Sequence, residues 1–403
     1  MAPVPTAVSG PEVTLPRRRN GCPRLTGRRL AALAAVLLLA PVLYSYVTTM
    51  IQPSSLPLGV RTVEWIRANH GAWIVDEAER FWYSHNGPRA GGPQLTALPT
   101  VGLVAPGTPS RPARPPARPH ADYAPAPIRP LIRPALPEEG RWQPTSSPFR
   151  GSAPVLVTTY RTDPTYPQIV AFVAWFDHTR TQLALYPGRY EPPNALPRGP
   201  MEVPSDQRWR LLATFNSGFT FRDGHGGFAV NGRAATPLVA GIGTVVVYRS
   251  GRVDVVRWHG GSAPPRRIVL ARQNLPLIVA GGRPNPNLSD SAVWGQTLGN
   301  AIRVWRSGVG VDRRGNLIYA AANYQTVGTL ARILIHAGAV RAVELDINAE
   351  WPSLITYPRS GARDPVKIVP NSMQSATRYL VPDDRDFFAV YKRVGAASAV
   401  PFR

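Results

Sequence analysis

The chain has 403 residues with a formal net charge of +22, and its 45 prolines are so unevenly placed that only part of it reads as compact. Its seven histidines show no HExxH or paired spacing, and there is no GxSxG elbow or GxxxxGK[ST] loop. Histidine-bound zinc, serine-hydrolase and P-loop chemistries are excluded on those grounds, and no cofactor is expected, a divalent cation being left open.

Residues 1–29 form a basic tail carrying Arg17, Arg18, Arg19, Arg24, Arg28 and Arg29. Residues 30–51 are uncharged and mostly apolar, long enough to cross a bilayer, with Pro41 expected to bend the helix. Tyr44, Tyr46 and Met50 at the exit, in place of a small-residue cleavage site, favour an uncleaved anchor over a signal peptide. The positive-inside rule then puts the N-terminus in the cytoplasm and the rest of the chain outside. Cys22, the single cysteine, stays on the reducing side, so the exported part depends on its core. Export also argues against nucleic acid as a partner, and anionic wall polymers or lipid headgroups suit the positive charge better.

Residues 52–86 read as two short amphipathic helices broken near Gly71, with Trp65, Trp73, Phe81, Trp82 and Tyr83 among the apolar members. They suit either an interfacial collar at the membrane exit or a helical cap packed on the main domain. Residues 87–150, rich in Pro, Ala and Arg, read as an extended, disordered spacer. The folded domain is expected over 151–395, ahead of a short tail at 396–403. Within it, Ile169–Phe176 and Gln182–Gly188 read as a strand pair, and hairpins turn at Asn231-Gly232, Ser250-Gly251 and Arg313–Asn316. The final strand is Asp386–Arg393. The fold class is α+β, a mixed and largely antiparallel sheet with hairpins and a few packed helices.

The most informative stretch follows a predicted amphipathic helix whose apolar stripe is Val327, Leu330, Ala331, Leu334 and Ile335, with Gly338 at its stop. In the AVELDINAEWPS segment, strand alternation sends Val343, Leu345 and Ile347 to one face and Glu344, Asp346 and Asn348 to the other. Asn216 and Arg306 also fall at strand ends. With Asp346, Asn348 and Glu350 they make a carboxylate, asparagine and arginine set expected around one cleft. The bland readings are an edge strand with a solvated acidic face, an internal salt bridge from Arg306 to Asp346, and an Asn216 that caps its own backbone.

Four segments in order, TFNSGF, LPLIVAGG, VWRSGVGVDRRGNLIYAAAN and TVGTLARILIHAGAVRAVELD, resemble blocks of the phosphodiester glycosidase family, enzymes that remove a sugar from a phosphodiester. The likeness departs from the family after Asp346, where Ile-Asn-Ala-Glu-Trp replaces a glycine run, and at Ser307, where threonine is usual. It implies a membrane-anchored, outward-facing hydrolase of a sugar-phosphate linkage in an envelope glycopolymer or glycolipid. Such a reaction expels a phosphate monoester, a stable anion that needs a cation more than a proton. Arg306 is then expected to grip the phosphate. Asp346, or else Glu350, would activate water or attack the anomeric carbon. Asn216, Asn348, Asn323 and Gly218 are the expected substrate-binding positions. A catalytically silent glycan-binding or envelope-assembly protein on the same scaffold is the alternative.

Overall fold

The computed structural model describes residues 27–102, 123–193, 199–224, 226–289, 293–294, 303–371 and 373–395. The first 51 residues form one unit and residues 52–403 a second. In the first unit, helix α1 (Gly27–Met50) is the single described helix long and apolar enough to cross a membrane. At about 1.5 Å per residue its length matches a bilayer's hydrocarbon core.

The second unit opens with helices α2 (Leu58–Ile66) and α3 (Ala72–Asn86), joined by a π-type turn at Arg67–Gly71 in which His70 has a φ of 66°. This is the break expected near Gly71. The strands follow as β1 (Gln143–Pro144), β2 (Val155–Arg161), β3 (Val170–Phe176), β4 (Thr181–Tyr186) and β5 (Leu211–Asn216). After the one-turn α4 (Phe221–Gly224) come β6 (Phe228–Val230), β7 (Arg233–Thr236), β8 (Gly243–Tyr248), β9 (Val253–Arg257), β10 (Ile268–Gln273), β11 (Leu277–Ala280) and β12 (Arg283–Pro284). The long hairpin β13 (Val304–Val311) and β14 (Leu317–Gln325) leads to α5 (Val327–His336) and β15 (Arg341–Glu344). Strands β16 (Leu354–Thr356), β17 (Val366–Lys367) and β18 (Phe387–Lys392) complete the chain.

These strands make three sheets, all of antiparallel pairs, in the orders β1-β2-β3-β14-β13-β15-β11-β12, β7-β6-β10-β8-β9 and β17-β16-β5-β18-β4. All three contribute to one apolar centre, through Val157, Phe176 and Tyr319, through Val245 and Val255, and through Leu185, Phe215 and Phe388. The largest sheet is covered on its other face too. Along β14, Leu317, Tyr319 and Ala321 face the centre while Ile318, Ala320 and Ala322 join Leu330 and Leu334 of α5. A strand buried on both faces reads as a nearly continuous apolar run, which is why IVAFVAWF and LIYAAA look as they do.

The α+β class and the antiparallel hairpins are as the sequence suggested. The turn at Asn231-Gly232 has both residues at positive φ, 56° and 76°, as a two-residue hairpin requires. Helix α5 buries Val327, Leu330, Ala331 and Leu334, closes its start with a Thr326–Thr329 capping box, and stops before Gly338 at φ 99°. Two expectations need correcting. Strands β3 and β4 do not pair: β3 lies between β2 and β14, whereas β4 pairs with β18 in another sheet, so the turn at Asp177–Thr181 is a crossing between layers. The expected spacer is also packed from residue 123 onward. Ile128 and Ile132 are buried, β1 pairs with β2, and Glu139 holds Arg161 in a buried ion pair at 2.8 Å. Residues 103–122, the most proline-rich part of that spacer, lie outside the described residues.

Candidate functional site

Strand parity decides what happens at the end of β15. Glu344 stands opposite Gly308 of β13, so it shares a sheet face with Arg306, while Val343 and Leu345 turn into the apolar centre. The ladder ends with Leu345 donating to the Ser307 carbonyl at 2.8 Å and Ser307 donating to the Asp346 carbonyl at 2.9 Å. From there the chain folds on itself through two Asx turns. Asp346 Oδ1 accepts from Asn348 N at 2.9 Å, and Asn348 Oδ1 accepts from Glu350 N at 3.1 Å. Asn348 therefore shapes the loop that carries Glu350.

The other oxygen of Asp346 meets Arg385, a residue sequence reasoning missed. Arg385 Nη2 donates to Asp346 Oδ2 at 2.9 Å and to the Gly218 carbonyl at 2.8 Å, and its guanidinium lies 4.5 Å from the centre of the Trp351 ring. Gly218 is required by a close approach, since a Cβ there would come within 2.5 Å of Asn274 Oδ1. Asn274 in turn ties its amide to the Leu345 carbonyl at 2.8 Å. The signal for Arg385 was present in PDDRDFF, an arginine among acids directly before an apolar strand.

Asn216 is the hub beneath this loop. Its Oδ1 accepts from Tyr319 Oη at 2.8 Å and from Ser353 N at 3.1 Å, and its Nδ2 donates to Ser307 Oγ at 3.0 Å and to the Ser217 carbonyl. Every polar position of the amide is committed, so Asn216 braces the site. Arg306 lies on the other face of the sheet. Its Nη1 donates to Glu344 at 2.5 Å and its Nε to the Gln325 carbonyl, and both side chains of the pair are almost fully buried. The internal salt bridge that was the bland reading of Arg306 is thus made, but to Glu344 and not to Asp346, and two of the three nitrogens of the fork expected to grip phosphate are held within the fold. Asn323, half-buried on β14, accepts from its neighbour Tyr324 N and makes no bond to the Asp346 loop among the described residues.

Charge gathers around Glu350 from an unexpected quarter, the α2–α3 pair. Arg67 donates to Glu64 at 3.1 Å and to Glu79 at 2.7 Å, and lies 3.9 Å from Glu350. Leu56 and Val60 pack on Trp351, and Tyr324 Oη donates to the Asn86 carbonyl at 2.8 Å. Burial pushes the Glu350 carboxyl up to about 8, helped by Glu64 and opposed by Arg67. Burial also raises Asp346, against the pull of Arg385. Burial works against the charge of Arg385, but Asp346 and Glu191 outweigh it and raise the group. The arrangement is one carboxylate gripped by a cation beside a second carboxyl that holds its proton at neutral pH. Among the described residues no cluster of three or more His, Cys, Asp or Glu side chains is placed to hold a metal ion.

No family model and no curated protein matches the chain. Solved structures resemble it weakly. A zebrafish N-acetylglucosamine-1-phosphodiester alpha-N-acetylglucosaminidase catalytic domain, auto-inhibited by its pro-peptide, is 14% identical with a TM-score of 0.40 over 62% of this chain and 87% of that one. A hypothetical protein from Synechocystis is 13% identical with a TM-score of 0.37 over 65% of this chain and 64% of that one. A putative exported protein from Burkholderia pseudomallei is 14% identical with a TM-score of 0.36 over 57% of this chain and 75% of that one. At such values these likenesses decide nothing about activity.

Proposed function

We propose that the chain is a membrane-anchored hydrolase whose domain outside the membrane cleaves a sugar-phosphodiester linkage in an envelope glycopolymer or glycolipid. The observation that carries this reading is the Asp346–Arg385 pair beside Glu350. Arg385 takes the role expected of Arg306: Nη2 is bonded to Asp346 and Gly218, and the remainder of the fork is the cation a phosphate would meet. Asp346 attacks the anomeric carbon or activates water. Glu350, protonated at neutral pH, supplies a proton where the leaving oxygen needs one. Gly218 and Asn348 act by shaping the walls. Helix α1 supplies the anchor, and the arginines before it favour a cytoplasmic N-terminus.

A second reading has its own support. Asp346, Glu350 and Trp351 are all buried, with Leu56 and Val60 packed on the loop that carries them, which suits a glycan-binding or assembly protein that does no chemistry. Incubation of the full chain with a panel of sugar-1-phosphodiesters separates the two. Release of free sugar that disappears in Asp346→Asn supports the hydrolase, and binding without release supports the silent module.

A further inference from the structure

Helix α3 has two unlike faces. Val75, Glu79 and Tyr83, spaced four apart, point inward: Val75 is buried, Glu79 is bonded to Arg67, and the Tyr83 hydroxyl is pushed up to about 12 by burial and by Glu79. On the other side Trp73, Ile74, Phe81 and Trp82 are 71%, 49%, 66% and 62% exposed. At about 100° per residue they fall on one half of the helix. Beyond α1 and Ile51 next to it, no other described large apolar side chain except Leu58, at the start of α2, is more than 52% exposed. The four large apolar groups share that half with Glu77, which pairs with exposed Arg80 at 2.7 Å, so the face is amphipathic, as an interfacial helix is.

The position in the chain says what covers it. Seven residues, 51–57, join the end of α1 to Leu58, and seven residues reach no more than about 25 Å. If α1 spans a bilayer, α2 and α3 stay near its surface. Two tryptophans and a phenylalanine on one helical face are the side chains that settle at the headgroup level. From this geometry we infer that the Trp73, Ile74, Phe81 and Trp82 face of α3 lies in the interface of the bilayer that α1 crosses. The inference rests on α1 being a retained span. It means that the element bearing on Glu350 through Arg67 and Glu79 is itself seated on lipid.

The test uses the full chain reconstituted in phosphatidylcholine–phosphatidylglycerol vesicles, with lipids brominated near the headgroup as quenchers of tryptophan emission. Residues 27–50 contain no tryptophan, so α1 is silent, and Trp73 and Trp82 are two of the chain's ten. Quenching of about a fifth of the emission is expected, lost in the Trp73→Phe/Trp82→Phe variant. Phe81→Glu, with both tryptophans kept, should roughly halve it. Equal quenching in wild type and the double variant, or none in either, overturns the docking. Alkaline carbonate extraction of the same vesicles isolates the underlying assumption. A chain that stays with lipid but shows no quenching retains the span and loses the docking, whereas a chain washed off loses both.

Discussion

Two arginine–carboxylate pairs sit two residues apart at the end of β15, and they differ in what surrounds them. Arg306–Glu344 lies within the ladder, on a sheet face covered by α5, with side chains 4% and 0% exposed. Arg385–Asp346 lies just past the ladder, where the backbone has begun to turn and an aromatic ring flanks the cation. The Arg306–Glu344 pair projects from the sheet face that α5 covers and is enclosed there. A pair at a strand end has a loop beside it that a ligand could displace or join. The same kind of ion pair is thus enclosed in the ladder at one position and borders a loop two residues later.

That contrast breaks most visibly on removal of Arg306. Arg306→Ala leaves Glu344 charged and unpaired in a dry site and should cost about 3–5 kcal/mol, read as a large fall in the urea midpoint. A variant that unfolds like wild type but fails to bind substrate would move Arg306 to the functional side of the comparison. Asn216→Ala should come next, at about 2–4 kcal/mol, because it strands Tyr319 Oη and Ser353 N together. Equilibrium unfolding checks that figure as well.

Glu350 sharpens the functional side through pH. Its carboxyl is raised from 4.5 to about 8, so between those values the folded chain holds a proton that the unfolded chain has lost. The stability it contributes is complete below pH 4.5 and declines as pH rises through about 8, at no more than about 1.4 kcal/mol per pH unit. Glu350→Gln should flatten that part of the stability–pH curve. An unchanged slope would place Glu350 in water. The smallest effect on stability is expected for Arg385→Lys, which keeps a charge near Asp346 but gives up the fork, and should cost about 1 kcal/mol or less while weakening phosphate binding, measurable by calorimetry.

The sequence made much of this legible where period and turn chemistry speak locally. The α5 stripe, the Asn231-Gly232 hairpin and the Val343/Leu345 face all follow from side-chain spacing. What it could not show was which strands share a sheet: β3 and β4 are adjacent in sequence yet belong to different layers, a choice made by packing at a distance. The site divided the same way. Asp346, Asn348 and Glu350 lie in one loop and are found together, whereas Arg385 and Arg67 arrive from 39 residues later and 283 residues earlier than Asp346 and Glu350 respectively (385 minus 346; 350 minus 67). Arg306 was misassigned because alternation was applied to β15 but not to β13, where its parity with Gly308 puts it beside Glu344.

On the proposed function, the strand-end pair performs hydrolysis while its neighbour holds the fold. Sugar release from sugar-1-phosphodiesters by the full chain, compared between wild type and Asp346→Asn at matched thermal stability, tests it most directly. Turnover is expected in wild type and a loss of at least about a hundredfold in the variant, in line with removal of a reacting carboxylate. Equal release by the two proteins would contradict it.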